Sequence, residues 1–331
     1  MKRIGMTKKS EISLKLQPLD LLFLMRPPML IPVWAFFLAG FWHSKNIVLR
    51  EILLQIRYSF ILKGNFWLSF VSFSLLMGAV YIINQIVDCE SDRENRKLFL
   101  IPLGIVPVKL AFSVCGILVI VSLIIGYKYG TVYLVFLIIS LCIGILYSVP
   151  PFRFKGKPVL DIISNSIGYG MLAFGIGWIT ASSFSAQLLV HSIPYFFAAA
   201  SIFAVSTILD VEGDKKDGAI TTGVCFGRKV TIVISAVTLL ISLISAVFLR
   251  DVVIGITAVI GFPIIIVVIM KKRREFITLY MRGVSYVFII LIAILFPWFL
   301  LLLFAVYGIS KWYYKYRFGI RYPELLERED E

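Results

Sequence analysis

Nine runs of apolar residues alternate along the chain with short polar stretches, at roughly 21–42, 66–87, 103–127, 130–147, 159–181, 193–209, 230–249, 252–270 and 284–307. Each is about the 20 residues that a helix needs to cross the hydrocarbon core of a bilayer. The pattern predicts an all-α fold, a polytopic membrane bundle of nine transmembrane helices. Only Arg250 and Asp251 separate the seventh run from the eighth, so a tight hairpin is expected there. Residues 46–63 place Ile47, Leu49, Ile52, Leu53, Ile56 and Phe60 against Arg50, Arg57 and Lys63. That spacing suits a helix lying in the membrane interface.

Composition agrees with the pattern. The 331 residues are 60% hydrophobic and only 16% charged, too apolar for an ordinary soluble domain. The first 20 residues are polar and basic, without a short apolar core followed by a small-residue cleavage site, so the first run is expected to stay in the mature protein. Of the Lys and Arg residues, 22 fall on the side of the N-terminus and 11 on the other when the nine runs are threaded in order. The N-terminus and the loops after even-numbered helices are therefore expected to be cytoplasmic, in the cell membrane if the source is prokaryotic. The organisation follows: a basic segment 1–20, a membrane domain 21–310 and a charged tail 311–331. Cys89, Cys115, Cys142 and Cys225 have no paired or metal-ligand spacing, and His43 and His191 are isolated. Zinc, haem and disulfide chemistry find no support, and any metal should be held by oxygen.

The polar stretches carry the chemistry. Asn84, Asp88 and Asp92 stand at i, i+4 and i+8 at the end of the second run, and a continuing helix would stack them on one face about 6 Å apart along the axis. Asp210 and Asp214 repeat the i, i+4 spacing after the sixth run, within a shared pattern Asp-x-Glu-x-Asp-basic. Both stretches follow even-numbered helices and so face the same side. Carboxylates this close repel one another, and a shared Mg²⁺ relieves the repulsion. Two such clusters flanked by Lys and Arg describe a site for a polyanion carried by metal, best a diphosphate. The competing reading is a set of solvated loop charges.

These residues resemble the motifs of the UbiA-type intramembrane prenyltransferases. Asn84, Asp88 and Asp92 match that family's Asn-x-x-x-Asp-x-x-x-Asp, and Asp210, Gly213 and Asp214 its Asp-x-x-Gly-Asp. Between them, Tyr147-Ser148-Val149-Pro150-Pro151-Phe152-Arg153-Phe154-Lys155 looks like Tyr-Ser-x-Pro-Pro-x-Arg-x-Lys, and Arg26-Pro27 resembles the family's entry to the first helix. The resemblance implies a nine-helix bundle in which Asp88, Asp92, Asp210, Asp214 and Asn84 hold Mg²⁺. Arg26, Arg153, Lys155, Lys215 and Tyr147 would then bind the diphosphate of an isoprenyl diphosphate. It implies ionisation to an allylic carbocation and transfer of the polyprenyl group to a small aromatic or polar-lipid acceptor. The implied partners are the isoprenyl diphosphate, a hydrophobic or aromatic acceptor and membrane lipids, with no nucleic acid.

Each assignment has a plainer competitor. Arg153, Lys155 and Lys157 also serve as positive-inside anchors, Arg26 as a snorkelling residue, Tyr147 as an interfacial aromatic, and Lys271–Arg274 as a topology anchor. Asp161 and Asn165, at i and i+4, either border the acceptor pocket or pair between helices. The chain departs from the family at Phe99-Leu100, where Arg-Pro is common, and at Thr222-Gly223-Val224, where Leu-Pro-Val is common. Neither change removes a metal ligand; both bear on the acceptor. An intramembrane terpene cyclase would use the same site without an external acceptor. A transporter or lipid-binding protein would instead place its acids near the bilayer midplane.

Overall fold

The computed structural model describes residues 15–45, 64–94 and 100–319. The expectations for segments 1–14, 46–63 and 320–331, and for Lys97 and Phe99, fall outside them. Thirteen helices follow in order: α1 Pro18–Leu24, α2 Pro27–His43, α3 Gly64–Val87, α4 Cys89–Glu94, α5 Val108–Tyr127, α6 Thr131–Ser148, α7 Leu160–Ala181, α8 Ala186–Leu209, α9 Val211–Lys216, α10 Thr222–Leu249, α11 Val252–Lys271, α12 Arg274–Leu295 and α13 Pro297–Phe318. Among the described residues eight are long and apolar enough to cross a membrane, and the bent pair α1–α2 makes a ninth span.

The bend has a local cause. Pro27 and Pro28 disfavour a helical residue before them, and Arg26 takes the left-handed conformation with φ 51°, so α1 and α2 meet at 47°. Proline also shortens the third predicted run, because Pro107 caps α5 and residues 100–107 fold as a loop that buries Leu100, Ile101, Ile105 and Val106. The hairpin at Arg250-Asp251 forms as expected, with Arg250 left-handed and the Asp251 carboxylate accepting the Ile254 N–H at 3.1 Å.

The last predicted span needs correction. Residues 284–307 do not form one helix, because Pro297 has no N–H to continue the ladder and Phe296 leaves helical geometry. The ninth span is α12, and α13 runs back along the bundle as a further helix. Its start packs Trp298 on Trp67, ring centroids 4.7 Å apart, at the beginning of α3. Its end stacks Tyr313 on Phe23 at 3.7 Å and sets Arg317 against Asp20 at 2.8 Å. Both of these are buried, and the Tyr313 hydroxyl also donates to Asp20 at 2.7 Å. Helix α13 thus returns to the end that carries the first residues of the chain, placing Lys311, Lys315 and Arg317 on the more basic side. Residues 311–318 of the predicted tail belong to this helix.

Small residues bring the spans together, as expected where lipid supplies no hydrophobic drive between helices. Gly40 of α2 and Gly177 of α7 sit against the Phe174 and Phe37 carbonyl oxygens, leaving no room for a Cβ. Ser72 and Ser122 each donate to the other's carbonyl between α3 and α5, at 2.9 and 2.8 Å. Ser201 and Ser235 do the same between α8 and α10, at 2.7 and 2.8 Å, with the Tyr280 hydroxyl 2.5 Å from Ser201 Oγ. The outward faces of α5 and α10 expose Phe112, Ile117, Ile120, Ile124, Val247 and Phe248, the surface a lipid-facing helix requires.

Candidate active site

One cavity of about 610 Å³ opens at the end of the bundle where α3, α6, α8 and the starts of α7, α10 and α12 converge. Both aspartate stretches reach it. The helical ladder carries across Asp88, with Asp88 N–H donating to Asn84 O at 3.0 Å and Asp92 N–H to Asp88 O at 2.8 Å. The predicted one-face stacking follows, although α3 and α4 count as separate helices. The second stretch closes in the same way, Asp214 N–H donating to Asp210 O at 2.8 Å. Helix α9 then ends at Gly218, whose φ of 67° suits the left-handed turn after a helix. Asp88, Asp92, Asp210 and Asp214 all line the cavity.

The basic side chains come from the segment after α6. Pro150-Pro151 ends that helix by removing two N–H donors, and Val149 is extended, as the residue before a proline should be. Arg153 is left-handed at φ 38°, and a single 3₁₀ turn, Phe154–Gly156, presents Lys155. The Lys155 ammonium contacts both Asp88 carboxylate oxygens, and Arg153 Nη2 lies 3.9 Å from Oδ1. Burial lowers the Lys155 pKa from its ordinary value, and the Asp88 charge opposes this without cancelling it. Tyr147 lines the same wall as Asn165, whose side-chain amide donates to Asp161 O at 2.8 Å.

Three of the predicted residues lie elsewhere. Asn84 is outside the cavity lining and donates to Ser148 Oγ at 3.2 Å, tying α3 to α6. Arg26 is also off the lining, though Asp92 and Asp88 are among its electrostatic neighbours. Lys215 is exposed, and its neighbour Lys216 lines the cavity instead. Residues given no site role from the sequence also line it: Ser206, Thr207 and Arg274. Ser206 precedes Asp210 by one helical turn, a spacing that could have flagged it. Arg274 was read as a topology anchor, and nothing in a basic run marks which member turns inward.

Among the described residues no three His, Cys, Asp or Glu side chains converge into a metal cage. Seven carboxylates line the cavity, the two predicted pairs among them, without thiol or imidazole. Mg²⁺ is commonly held by one or two carboxylates, with phosphate oxygens and water completing the octahedron. The set therefore fits Mg²⁺ jointly with a phosphate-bearing ligand.

The fold is an all-helical bundle of membrane-spanning length, with paired aspartates, lysine and arginine around one mouth. The profile of the UbiA prenyltransferase family matches residues 33–280, and the chain belongs to that family. The digeranylgeranylglyceryl phosphate synthase of Sulfolobus acidocaldarius is 30% identical over 53% of this chain and 62% of that protein. The 2-acyl-4-prenylphloroglucinol 6-prenyltransferase of Humulus lupulus is 29% identical over 52% of this chain and 45% of that protein. The chain thus spans between 45% and 62% of the length of these curated relatives. A UbiA homolog from Archaeoglobus fulgidus, solved bound to GPP and Mg²⁺, shares the fold with a TM-score of 0.61 and 22% identity, covering 84% of this chain and 99% of that one.

Proposed function

We propose that the cavity binds an isoprenyl diphosphate together with Mg²⁺ and transfers its prenyl group to a small aromatic or polar-lipid acceptor within the membrane. One observation carries this reading: Asp88 and Asp92 from one helix end, and Asp210 and Asp214 from another, line a single cavity with Arg153 and Lys155. The GPP and Mg²⁺ bound by the Archaeoglobus homolog support the donor and the metal. The relatives named above are a digeranylgeranylglyceryl phosphate synthase and a 2-acyl-4-prenylphloroglucinol 6-prenyltransferase, which supports the acceptor class.

The four aspartates are assigned to Mg²⁺, with Asn84 bracing α3 against α6. Mg²⁺ held there would supply positive charge to the diphosphate. Lys155 and Arg153 hold phosphate oxygens and stabilise the negative charge that grows as the allylic C–O bond breaks. The bonding electron pair leaves with the diphosphate. Tyr147 borders the cation that remains, and Arg26 and Lys215 add positive potential at the rim. The acceptor's nucleophilic atom forms the new bond to carbon and releases its proton. The excess of Lys and Arg on this side supports a cytoplasmic mouth.

The test is diphosphate release from geranylgeranyl diphosphate by the full chain in lipid, with Mg²⁺ or EDTA and a panel of acceptors. Release that needs Mg²⁺ and yields a prenylated acceptor is expected. Cyclic hydrocarbon or alcohol as the only product would replace the transferase by a terpene cyclase.

A further inference from the structure

Asp161 opens α7 in the wall of the cavity and is buried, at 3% exposure. Its carboxylate is fully engaged. Oδ2 accepts the Thr222 N–H at 2.6 Å, and Oδ1 accepts the Thr222 hydroxyl at 2.5 Å and the Ile162 N–H at 2.8 Å. A carboxylate holding three donors has little capacity left to bind metal or take a proton from an acceptor. It is built into the frame of the site.

What it frames can be followed bond by bond. The Thr222 hydroxyl also accepts the Val159 N–H at 2.7 Å. Val159 has a φ of 70°, an outlying conformation for a β-branched residue, so its backbone needs such a partner. One residue back, the Thr221 hydroxyl donates to Asp214 Oδ2 at 2.7 Å. One further back, the Ile220 N–H donates to Gly156 O at 3.1 Å, in the turn that carries Lys155. The segment 153–161, which sets Arg153 and Lys155 against Asp88, is thereby stapled to the segment 214–222, which carries Asp214. Across the mouth a second link, Ser91 Oγ to Asp217 Oδ2 at 2.9 Å, is exposed.

We propose that Asp161 is a positioning residue that fixes the distance between the two aspartate motifs, clamping Thr222 so that Thr221 orients the Asp214 carboxylate. The inference rests on the reading of the cavity as a metal and diphosphate site. The isosteric Asp161→Asn removes one acceptor and sets an amide N–H₂ against the Thr222 donors. Thr222→Val removes the hydroxyl at the centre of the staple. Thr221→Val cuts only its last bond to Asp214.

Mn²⁺ binding to the full chain in lipid nanodiscs, with inorganic diphosphate and read by electron paramagnetic resonance, tests this without turnover. Asp161→Asn and Thr222→Val should each weaken Mn²⁺ binding by about 10- to 100-fold, the usual effect of losing a group that orients a ligand. Raised Mg²⁺ should recover most of the turnover in these variants. Thr221→Val should shift the affinity in the same direction by less, and Thr221→Ser, which keeps the hydroxyl, should restore it. This pair keeps the test decisive if Asp161 variants fail to fold. Wild-type Mn²⁺ affinity in Asp161→Asn with turnover abolished at every Mg²⁺ concentration would overturn the inference and make Asp161 a catalytic group. Wild-type affinity and turnover in all three variants would overturn it as well. A wild-type chain that binds no Mn²⁺ with diphosphate would sink the proposed function, and this inference with it.

Discussion

The two ends of the bundle treat buried charge in opposite ways. At the end away from the aspartates, Asp251 in the α10–α11 hairpin meets His43 from the end of α2, with His43 Nε2 3.0 Å from Oδ2. The Tyr195 hydroxyl of α8 lies 3.1 Å from the same nitrogen. The Asp251 carboxylate is fully buried and capped into α11 by Ile254. Burial alone would raise its pKa, but the His43 charge and the hydrogen bonds around it outweigh that and hold it below its ordinary value. Three spans are locked together with no cavity left between the charges. At the aspartate end the acids instead line about 610 Å³ of open space, with Lys155 against Asp88 and the Thr221 hydroxyl on Asp214. One end closes its carboxylate between three spans, and the other arranges the motif carboxylates around a cavity, the arrangement that the proposed metal and diphosphate site requires.

The sharpest way to break this comparison is to remove one acid from each end. Asp210→Ala should lower diphosphate release by about 10²- to 10³-fold, the scale for losing one group that stabilises developing charge. Its unfolding midpoint should move less than that of Asp251→Ala. Asp251→Ala should do the reverse, because stranding one member of a buried ion pair costs about 3–5 kcal/mol, measured by unfolding in detergent, while the folded fraction keeps its turnover. The pH dependence sharpens the same contrast. A carboxyl held below its ordinary pKa contributes stability above the unfolded carboxylate range and loses it as pH falls through the folded value. Asp251→Asn should therefore flatten the acid limb of the stability profile.

Smaller effects follow. Lys155→Met should lower release by about 10- to 100-fold, and Lys155→Arg, which keeps the charge, by less. A cysteine placed at Gly319 should be labelled from the same side as one placed at Lys15, because α13 returns to Asp20; labelling from opposite sides would refute that path. At the small end, a double-mutant cycle between Ser72→Ala and Ser122→Ala should give a coupling of about 0.6 kcal/mol, typical of hydrogen bonds between membrane helices.

Much of this was legible in the sequence, for physical reasons. Spans are fixed by the thickness of the bilayer, so among the described residues each of the first eight apolar runs falls on one span. The i, i+4 acids and the Pro-Pro segment were legible because helix pitch and the missing proline N–H act locally. The last run failed because Phe296-Pro297 lies between two apolar helices, where hydropathy shows no gap. The start of α8 was placed too late, at 193, because Ala186–Ser192 is helical but mixed in polarity, whereas in α10 the break at Gly227, φ 70°, puts the start of the long segment close to the expected 230. The role of Asp161 was not legible, because its partner Thr222 is distant in sequence and only the packing of the tertiary fold brings the two together. Arg274 and Lys216 were missed for a related reason: in a run of basic residues the one facing the cavity is chosen by helix rotation, which composition does not encode.

The most direct test of the account is diphosphate release from geranylgeranyl diphosphate by the wild-type chain in lipid, beside Asp88→Ala and Asp210→Ala, with and without Mg²⁺. The account predicts release that requires Mg²⁺ and fails when either aspartate is lost, since each comes from a different helix end and both line the one cavity. Release that survives loss of one aspartate at the wild-type rate, or that is indifferent to EDTA, would contradict it.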